Sequence, residues 1–535
     1  MKKMKGILGL ALAGILILGA CGVGGGDAQP TPTPADSGQA AVQPDPTPTP
    51  EPPAADAGLG RGIVVAFAAE PPVLSPPQAI ITAAFYVTSM THNGLFRIDT
   101  ETLMPVPDLV SEWVAVSDTV FEFTIHEGIM FHNGEEMTAE DIVASFAYAR
   151  TYPESINSHR SFSDFEVVDR YTVRIDTGFP NANLFVDLAS SANFIMPGSL
   201  IDAGHDFNDN PVGSGPFVFE NWVRGSSLTF TAFEGYFDQE RAARVESVTI
   251  QIIPDGFSRT LALETGEIDY NVMLQSSDIA RMEADPNYNV VNLPGTQHNI
   301  MWLNNTLPQF DTPEKRRAIA MAIDKDSMVL AAYDGFIDAT WSQAPMPFIG
   351  ASETGAHTFD PQGAIALMEE HGIDPASLGF EIVTHAGPRA TMAEVIQANL
   401  AAVGIPVTIL MQDAQAINGL LNSGEFEAGI FGFTQSSLLG FMRTQFHSAS
   451  IGTTNRSRVD NPELDDLINS AQREVHDDNA RNSILAEAVI IANQNSYQIP
   501  LHTATLIRAH NANLVVPEHP ATDFPLYLNM IFWQD

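Results

Sequence analysis

At 535 residues, 44% of them hydrophobic, the chain is long enough for two or more packed domains, and its 65 acidic against 25 basic residues leave a formal charge of −40 and a pI near 4.4. That charge makes nucleic acid and bare anionic membrane poor partners. The one cysteine, Cys21, rules out an intramolecular disulfide, so stability must come from burial.

The chain begins with Lys2, Lys3 and Lys5, then an apolar stretch over residues 6–20 that ends in Leu18-Gly19-Ala20-Cys21. Basic start, apolar segment and small residues are the layout of a secretory signal peptide, here residues 1–20. The apolar run is shorter than the ~20 residues a spanning helix needs, and no later run reaches that length, so the mature chain is expected not to span a membrane. The four residues resemble the bacterial lipobox. That resemblance implies a diacylglycerol on the Cys21 thiol, cleavage just before it, and anchoring at the outer face of the cytoplasmic membrane, on the periplasmic side where an outer membrane exists. The rival reading, a buried free thiol, has no core to sit in between an exported segment and Gly22-Val23-Gly24-Gly25-Gly26.

Residues 21–59 then form the lipidated terminus and a linker. Its Pro, Thr and Ala, without apolar period, cannot bury enough surface to order it and favour extended polyproline geometry. At about 3.1 Å per residue the linker reaches up to ~100 Å from the bilayer.

Ordered structure is expected to begin at Gly62-Ile63-Val64-Val65-Ala66-Phe67, a buried strand stopped by Glu70-Pro71-Pro72. A helix follows over residues 80–90 and a strand over residues 94–98, and alternation of the two types marks an α/β body. Phe121, Phe123 and Ile125 alternate with polar neighbours as in a half-buried strand; Asn133-Gly134 supplies a tight turn. Thr138, with Asp141 three residues on, is a capping-box variant opening a helix whose Ile142, Val143, Phe146 and Ala149 share a face.

The segments GLFRIDTETLMPVPDLVSEW and TVFEFTIHEGIMFHNGEEMTAEDIVASF resemble the signature region of the family 5 extracellular solute-binding proteins, the oligopeptide, dipeptide and nickel receptors of ABC importers. PVGSGPFVFENW, ALETGEIDY, RAIAMAID, IQANLAAVGIPVTI and NPELDDLINSA keep the family's order to the C-terminus. The resemblance implies an α/β, two-lobe, periplasmic-binding-protein-like fold of the type II, flytrap kind, with an extra subdomain at about residues 100–205 of the first lobe. Lobe one is expected over residues 60–305 with a return over 499–535, and lobe two over 306–498. The two crossing strands, near residues 300–305 and 496–501, would be the hinge.

Catalytic patterns are absent. His126 and Glu127 are followed by His132, which fails the zinc-protease spacing, and no G-x-S-x-G elbow, P-loop or dinucleotide fingerprint occurs. Both histidines are read as surface or core polar residues and Ser214, in Gly213-Ser214-Gly215-Pro216, as a turn residue before a strand. Asp465 and Asp466 are read as the solvated face of an amphipathic helix. No catalytic residue, metal or cofactor is assigned.

Ligand sites in open α/β lobes lie beyond the carboxyl ends of strands and combine aromatic walls with a few polar groups. Strand ends of that sort nominate Glu70, Trp302, Asn304, Trp341, His385, Phe433, Thr434, Gln435 and Ser436, although Trp302 and Trp341 are equally at home in a core. In peptide-binding relatives the segment resembling Gly432-Phe433-Thr434-Gln435-Ser436 ends in an aspartate that pairs with the peptide's ammonium group. Ser436 here offers no such charge.

The reading is therefore a monomeric, lipid-anchored receptor that captures a small solute, peptide or peptide-like, and presents it to ABC permease subunits served by a separate ATPase. The alternative is a cell-surface hydrolase of peptides or glycans, which needs a nucleophile or metal site. A structural adhesin is less apt, since no repeats occur.

Overall fold

The computed structural model describes residues 60–534, except 80, 100–101, 156–158, 160–161 and 518–525; Cys21, the signal peptide and the linker lie outside the described residues. Among the described residues no helix is long and apolar enough to cross a membrane.

In chain order the strands are β1 (Ile63–Phe67), β2 (Phe96–Ile98), β3 (Pro105–Pro107), β4 (Val110–Ala115), β5 (Val120–Ile125), β6 (Asp164–Val167), β7 (Thr172–Asp176), β8 (Phe217–Val223) and β9 (Ser227–Ala232). There follow β10 (Ser247–Ile252), β11 (Tyr270–Asn271), β12 (Tyr288–Leu303), β13 (Phe380–Thr384), β14 (Val407–Met411), β15 (Ala428–Phe433), β16 (Gln498–Asn511), β17 (Leu514–Val515) and β18 (Phe532–Trp533). Ten of them form one continuous sheet in the order β14-β13-β15-β12-β16-β11-β1-β10-β9-β8.

The β-branched run Ile63-Val64-Val65 makes β1 a central strand, parallel to both β10 and β11 and buried along most of its length. With β8 to β11 it carries the first lobe. The second lobe is built on β13, β14 and β15, parallel strands of the sequence kind that is covered on both faces. β12 and β16, 16 and 14 residues long, run antiparallel from Tyr288↔Asn511 to Trp302↔Gln498 and join the two halves. β11 pairs with β16 near one end, at Asn271↔Ala509, and β15 pairs with β12 at the other, from His298↔Phe433 to Leu303↔Ala428. The ladder slips between Pro294 and His298, where proline removes a donor. Residues 298–303, expected on the first lobe, are thus already hydrogen-bonded to the second lobe's sheet.

Successive residues of β12 face opposite cores. Met301 and Leu303 enter one cluster with Ile319, Ile382 and Leu400; Ile300 and Trp302 enter the other with Phe441, Phe446 and Val489. That alternation decides the fate of Trp302, as described below.

A separate antiparallel sheet, β4-β5-β7-β6, makes the subdomain. β5 buries Phe121, Phe123 and Ile125 and leaves Val120, Glu122 and Thr124 partly exposed, the alternation its sequence predicts. The helix Ala139–Ala149 covers this sheet with Ile142, Phe146 and Ala149 buried, and its first turn is closed by the Thr138 amide donating to Asp141 Oδ2 at 2.8 Å. Gly134 turns the chain at φ +85°. Ser214 donates to Asn93 Oδ1, and a β-carbon at Gly215 would stand 2.5 Å from the Met90 carbonyl oxygen, so the glycine is there for close approach. His126 is exposed, while His132 Nε2 meets the Gly215 carbonyl at 2.9 Å. Asp465 is not simply solvated: it accepts from the Ser448 amide at 2.9 Å and anchors that turn.

Candidate functional site

Two adjoining cavities open where the first lobe, the subdomain and the second lobe meet. The first, of about 320 Å³, takes Asn93, Arg97 and Asp108 from the stretch entering the subdomain, Arg241 and Tyr527 from the first lobe, and Gln435, Ser436 and Arg443 from the second lobe. The second, of about 390 Å³, is walled by Trp113, Phe121 and Phe185 on one side and by Phe348, Ile349 and Leu439 on the other. Asn183, Val186 and Ser436 line both cavities, so the two adjoin along these residues.

Local structure explains how these side chains arrive. β2 and β3 form a short hairpin at the base of the subdomain, with Arg97 opposite Val106. Asp108 follows it directly, buried, accepting from Arg241 NH1 at 2.6 Å and from Asn93 Nδ2 at 2.9 Å. Burial works against the Arg241 charge, but the Asp108 carboxylate outweighs it and holds the guanidinium above its ordinary range. Tyr527 donates to the Ile98 carbonyl, and its burial pushes the phenol up to about 12. Arg97 Nε is buried without a hydrogen-bond partner, and its nearest carboxylate, Asp99, stands 3.8 Å from NH1.

Contacts between subdomain and second lobe enclose the cavities. Ser437 Oγ donates to Asn183 Oδ1 at 2.7 Å, the Ala182 amide donates to the Gln472 carbonyl at 2.9 Å, and His476 Nε2 lies 3.3 Å from Asp118 Oδ1. All three are polar, few, and at the rim, the kind of contact that a lobe movement can break and remake.

Of the residues nominated from sequence, Gln435 and Ser436 face the cavity. Phe433 and Thr434 belong to the same segment without lining it; Phe433 packs edge-on against Phe441. Trp302 is a correction: it is fully buried, with Nε1 donating to Gln445 Oε1 at 2.9 Å, because the strand's alternation sends it into the core. Asn304 is buried too, its Nδ2 donating to the Gly424 and Phe426 carbonyls. Glu70 is held away from the cavity by Trp222 Nε1 at 2.7 Å and the Gly225 amide. Trp341 forms a cation–π contact with Lys325, 4.3 Å from the ring centroid, and His385 lies edge-on to Phe431 and 2.6 Å from Arg389 NH1; neither lines the cavities.

Sequence reading missed Arg97, Asp108, Arg241 and Trp113. Arg97 and Asp108 did leave a signal. In a chain with so few cations, an arginine inside Leu95-Phe96-Arg97-Ile98 and an aspartate between Pro107 and Leu109 interrupt apolar runs that packing alone would keep apolar.

Where β12 and β16 cross, two histidines are buried. Burial lowers His298 to about 3 and His502 to about 4 from the usual 6.5. Both are therefore neutral in the folded state and protonate first in the unfolded chain. Their contribution to stability is present above pH 6.5 and is lost as pH falls from there toward 4 and 3. Acidification from about pH 7 to 5 should lower the unfolding free energy, by up to about 1.4 kcal/mol per pH unit for each histidine, and His502→Gln should flatten that slope in urea titrations. An unchanged slope in the variant would show that His502 carries no such linkage.

A body of two lobes, joined by two strands and enclosing a cavity lined by side chains of both, defines a solute-binding protein. The chain belongs to the bacterial extracellular solute-binding proteins, family 5, whose middle-region model matches residues 104–452. It is 26% identical over 473 residues to the glutathione-binding protein GsiB of Salmonella paratyphi A, covering 85% of this chain and 91% of that one. Among solved structures it is similar to HbpA2 from Haemophilus parasuis, with a TM-score of 0.78, 25% identity, and 89% and 100% of the two chains covered. The ABC transporter-associated periplasmic binding protein DppA from Helicobacter pylori, in complex with peptide STSA, superposes with a TM-score of 0.76 at 22% identity over 89% and 99% of the chains. The α/β periplasmic-binding-protein fold with its small antiparallel subdomain is thereby shown, and the family is one of binding proteins without catalysis, which sets the hydrolase reading aside.

Proposed function

We propose that this chain is the substrate-binding component of an ABC import system, capturing a peptide-like solute between its lobes and delivering it to a membrane permease. The observation that carries the reading is the cavity whose walls come from both lobes, with Arg97 and Asn93 on one side and Gln435 and Arg443 on the other. A ligand touching both walls favours the closed arrangement over the open one by its extra contacts, which is all that a flytrap requires. Support for a peptide-like solute comes from GsiB, named for glutathione, and from DppA, solved with a peptide and described as ABC transporter-associated. We place the hinge where β12 and β16 cross, the second lobe over about residues 306–498, and the anchor at Cys21. The protein acts as a monomer, with no cofactor.

Protein purified without denaturation should release one small solute on unfolding, identifiable by mass spectrometry; a preparation that neither retains nor rebinds any solute contradicts the receptor reading. Free-amine oligopeptides should be weak ligands. Ser436 lines the cavity where a carboxylate would be needed, Glu70 is turned to Trp222, and the aspartates lining the two cavities, Asp108, Asp187 and Asp478, are engaged by Arg241, Asn183 and Arg481. A desolvated ammonium without a carboxylate is costly. Calorimetry with a mixed tripeptide pool decides: tight binding that is lost on N-acetylation would reveal an anionic anchor and overturn the inference from Ser436.

A further inference from the structure

The two cavities differ in chemistry, and the three residues they share bring both chemistries within reach of one occupant. The whole chain has 65 acidic residues against 25 basic ones, yet the lining of the smaller cavity reverses that ratio, with three arginines, Arg97, Arg241 and Arg443, against two aspartates, Asp108 and Asp187. Both aspartates are engaged within the protein: Asp108 by Arg241 and Asn93, Asp187 by Asn183 at 2.8 Å and Asn181 at 3.3 Å. Arg97 hydrogen-bonds Tyr527 and has Asp99 3.8 Å from NH1, while its Nε is buried without a partner. The Arg97 side chain is 26% exposed and lines the cavity, where its guanidinium can meet a ligand carboxylate in the strongest class of hydrogen bond. Arg443 faces the same space from the second lobe, so an anion there touches cations of both lobes.

The larger cavity has the opposite character. Phe185 is its centre, 4.8 Å from both Phe96 and Trp113 and 6.1 Å from Phe121, measured between ring centroids. Trp113 remains 45% exposed and Ile349 60% exposed, although both border this space. Large apolar side chains left half in water around a concave space are what an apolar ligand group covers. None of the residues shared by the two spaces, Asn183, Val186 and Ser436, carries a carboxylate.

We propose, resting on the solute-receptor reading above, that the ligand is an amphiphilic anion. Its carboxylate head sits between Arg97 and Arg443, and its aromatic or branched apolar body lies against Trp113, Phe121 and Phe185. A peptide with a blocked amine, a free carboxylate and an aromatic end has this chemistry. A free-amine polar peptide lacks two of its three features, and a plain dicarboxylate leaves the aromatic wall uncovered.

Equilibrium dialysis with three probes tests the pairing on the full folded chain: benzoyl-glycyl-phenylalanine, its C-terminal amide, and acetyl-glycyl-glycine. The aromatic acid should bind at least about tenfold more tightly than either of the others, the scale of one charged hydrogen bond or one aromatic contact. Arg97→Gln should remove the preference for acid over amide. Trp113→Ala, at a half-exposed position that folding tolerates, should remove the preference for the aromatic acid over acetyl-glycyl-glycine. Equal binding of acid and amide, or of aromatic and non-aromatic acids, overturns the proposal. If all three fail to bind while natively purified protein releases a neutral or cationic solute, the amphiphilic-anion assignment is wrong and the receptor reading stands. If nothing is released and nothing binds, both are wrong.

Discussion

Replacing Asp108 by Ala is expected to cost about 3–5 kcal/mol of stability, the range for breaking a buried ion pair by removing one partner. The Asp108 side chain is 4% exposed and that of Arg241 17%, with 2.6 Å between them, and Asn93 Nδ2 donates to the same carboxylate. Truncation leaves a guanidinium desolvated with only Asp238, 3.5 Å away, to offset it, and deprives Asn93 of an acceptor. The loss should appear as a lower urea midpoint with an unchanged slope. The double variant Asp108→Ala, Arg241→Met should recover much of it, because the stranded charge is then gone. A single-variant loss below about 1 kcal/mol would mean that water reaches Arg241 freely and that this pair does not hold the cavity floor.

Cys21→Ala is expected to move essentially all of the protein from the membrane fraction to the soluble fraction, exported and folded. The anchoring proposed here depends on one sulfur atom, and several acyl chains hold far more firmly than one because each buried methylene adds about 0.8 kcal/mol. Among the described residues no helix is long and apolar enough to cross a bilayer, and a chain of net charge −40 is repelled by anionic headgroups. Fractionation of cells expressing the variant measures the outcome. Membrane retention equal to that of the natural sequence contradicts a lipid anchor at this position.

What could be read in the sequence was whatever depends on near neighbours. The alternation of β5, the Thr138 and Asp141 cap and the Asn133-Gly134 turn are each fixed within a few residues, and each is present. The family resemblance carried the lobes and the subdomain, since a pattern kept in order over the whole body encodes topology. The candidate cavity was legible only in part. Gln435 and Ser436 follow the carboxyl end of β15, where open α/β sheets place ligands, and they do line the cavity. Trp302 lies near the end of a strand too, but β12 is packed on both faces, and no local pattern tells which side of such a strand is solvent. The head of the cavity was harder still. Asp108 and Arg241 are 133 residues apart, and Tyr527 returns to Ile98 across 429. Such pairings exist only once the chain has closed on itself, so the aspartate that interrupts Val106-Pro107-Asp108-Leu109 marks a polar position without naming its partner.

Small-angle X-ray scattering tests the central claim most directly, applied to the protein stripped of solute by unfolding and refolding and then to the same sample after the natively retained solute is returned. A receptor that works by closing its lobes should show a smaller radius of gyration on rebinding, with the solute recovered chemically intact and at one molecule per chain. A saturated complex whose scattering profile matches that of the stripped protein, or a solute recovered as cleaved products, would contradict the account.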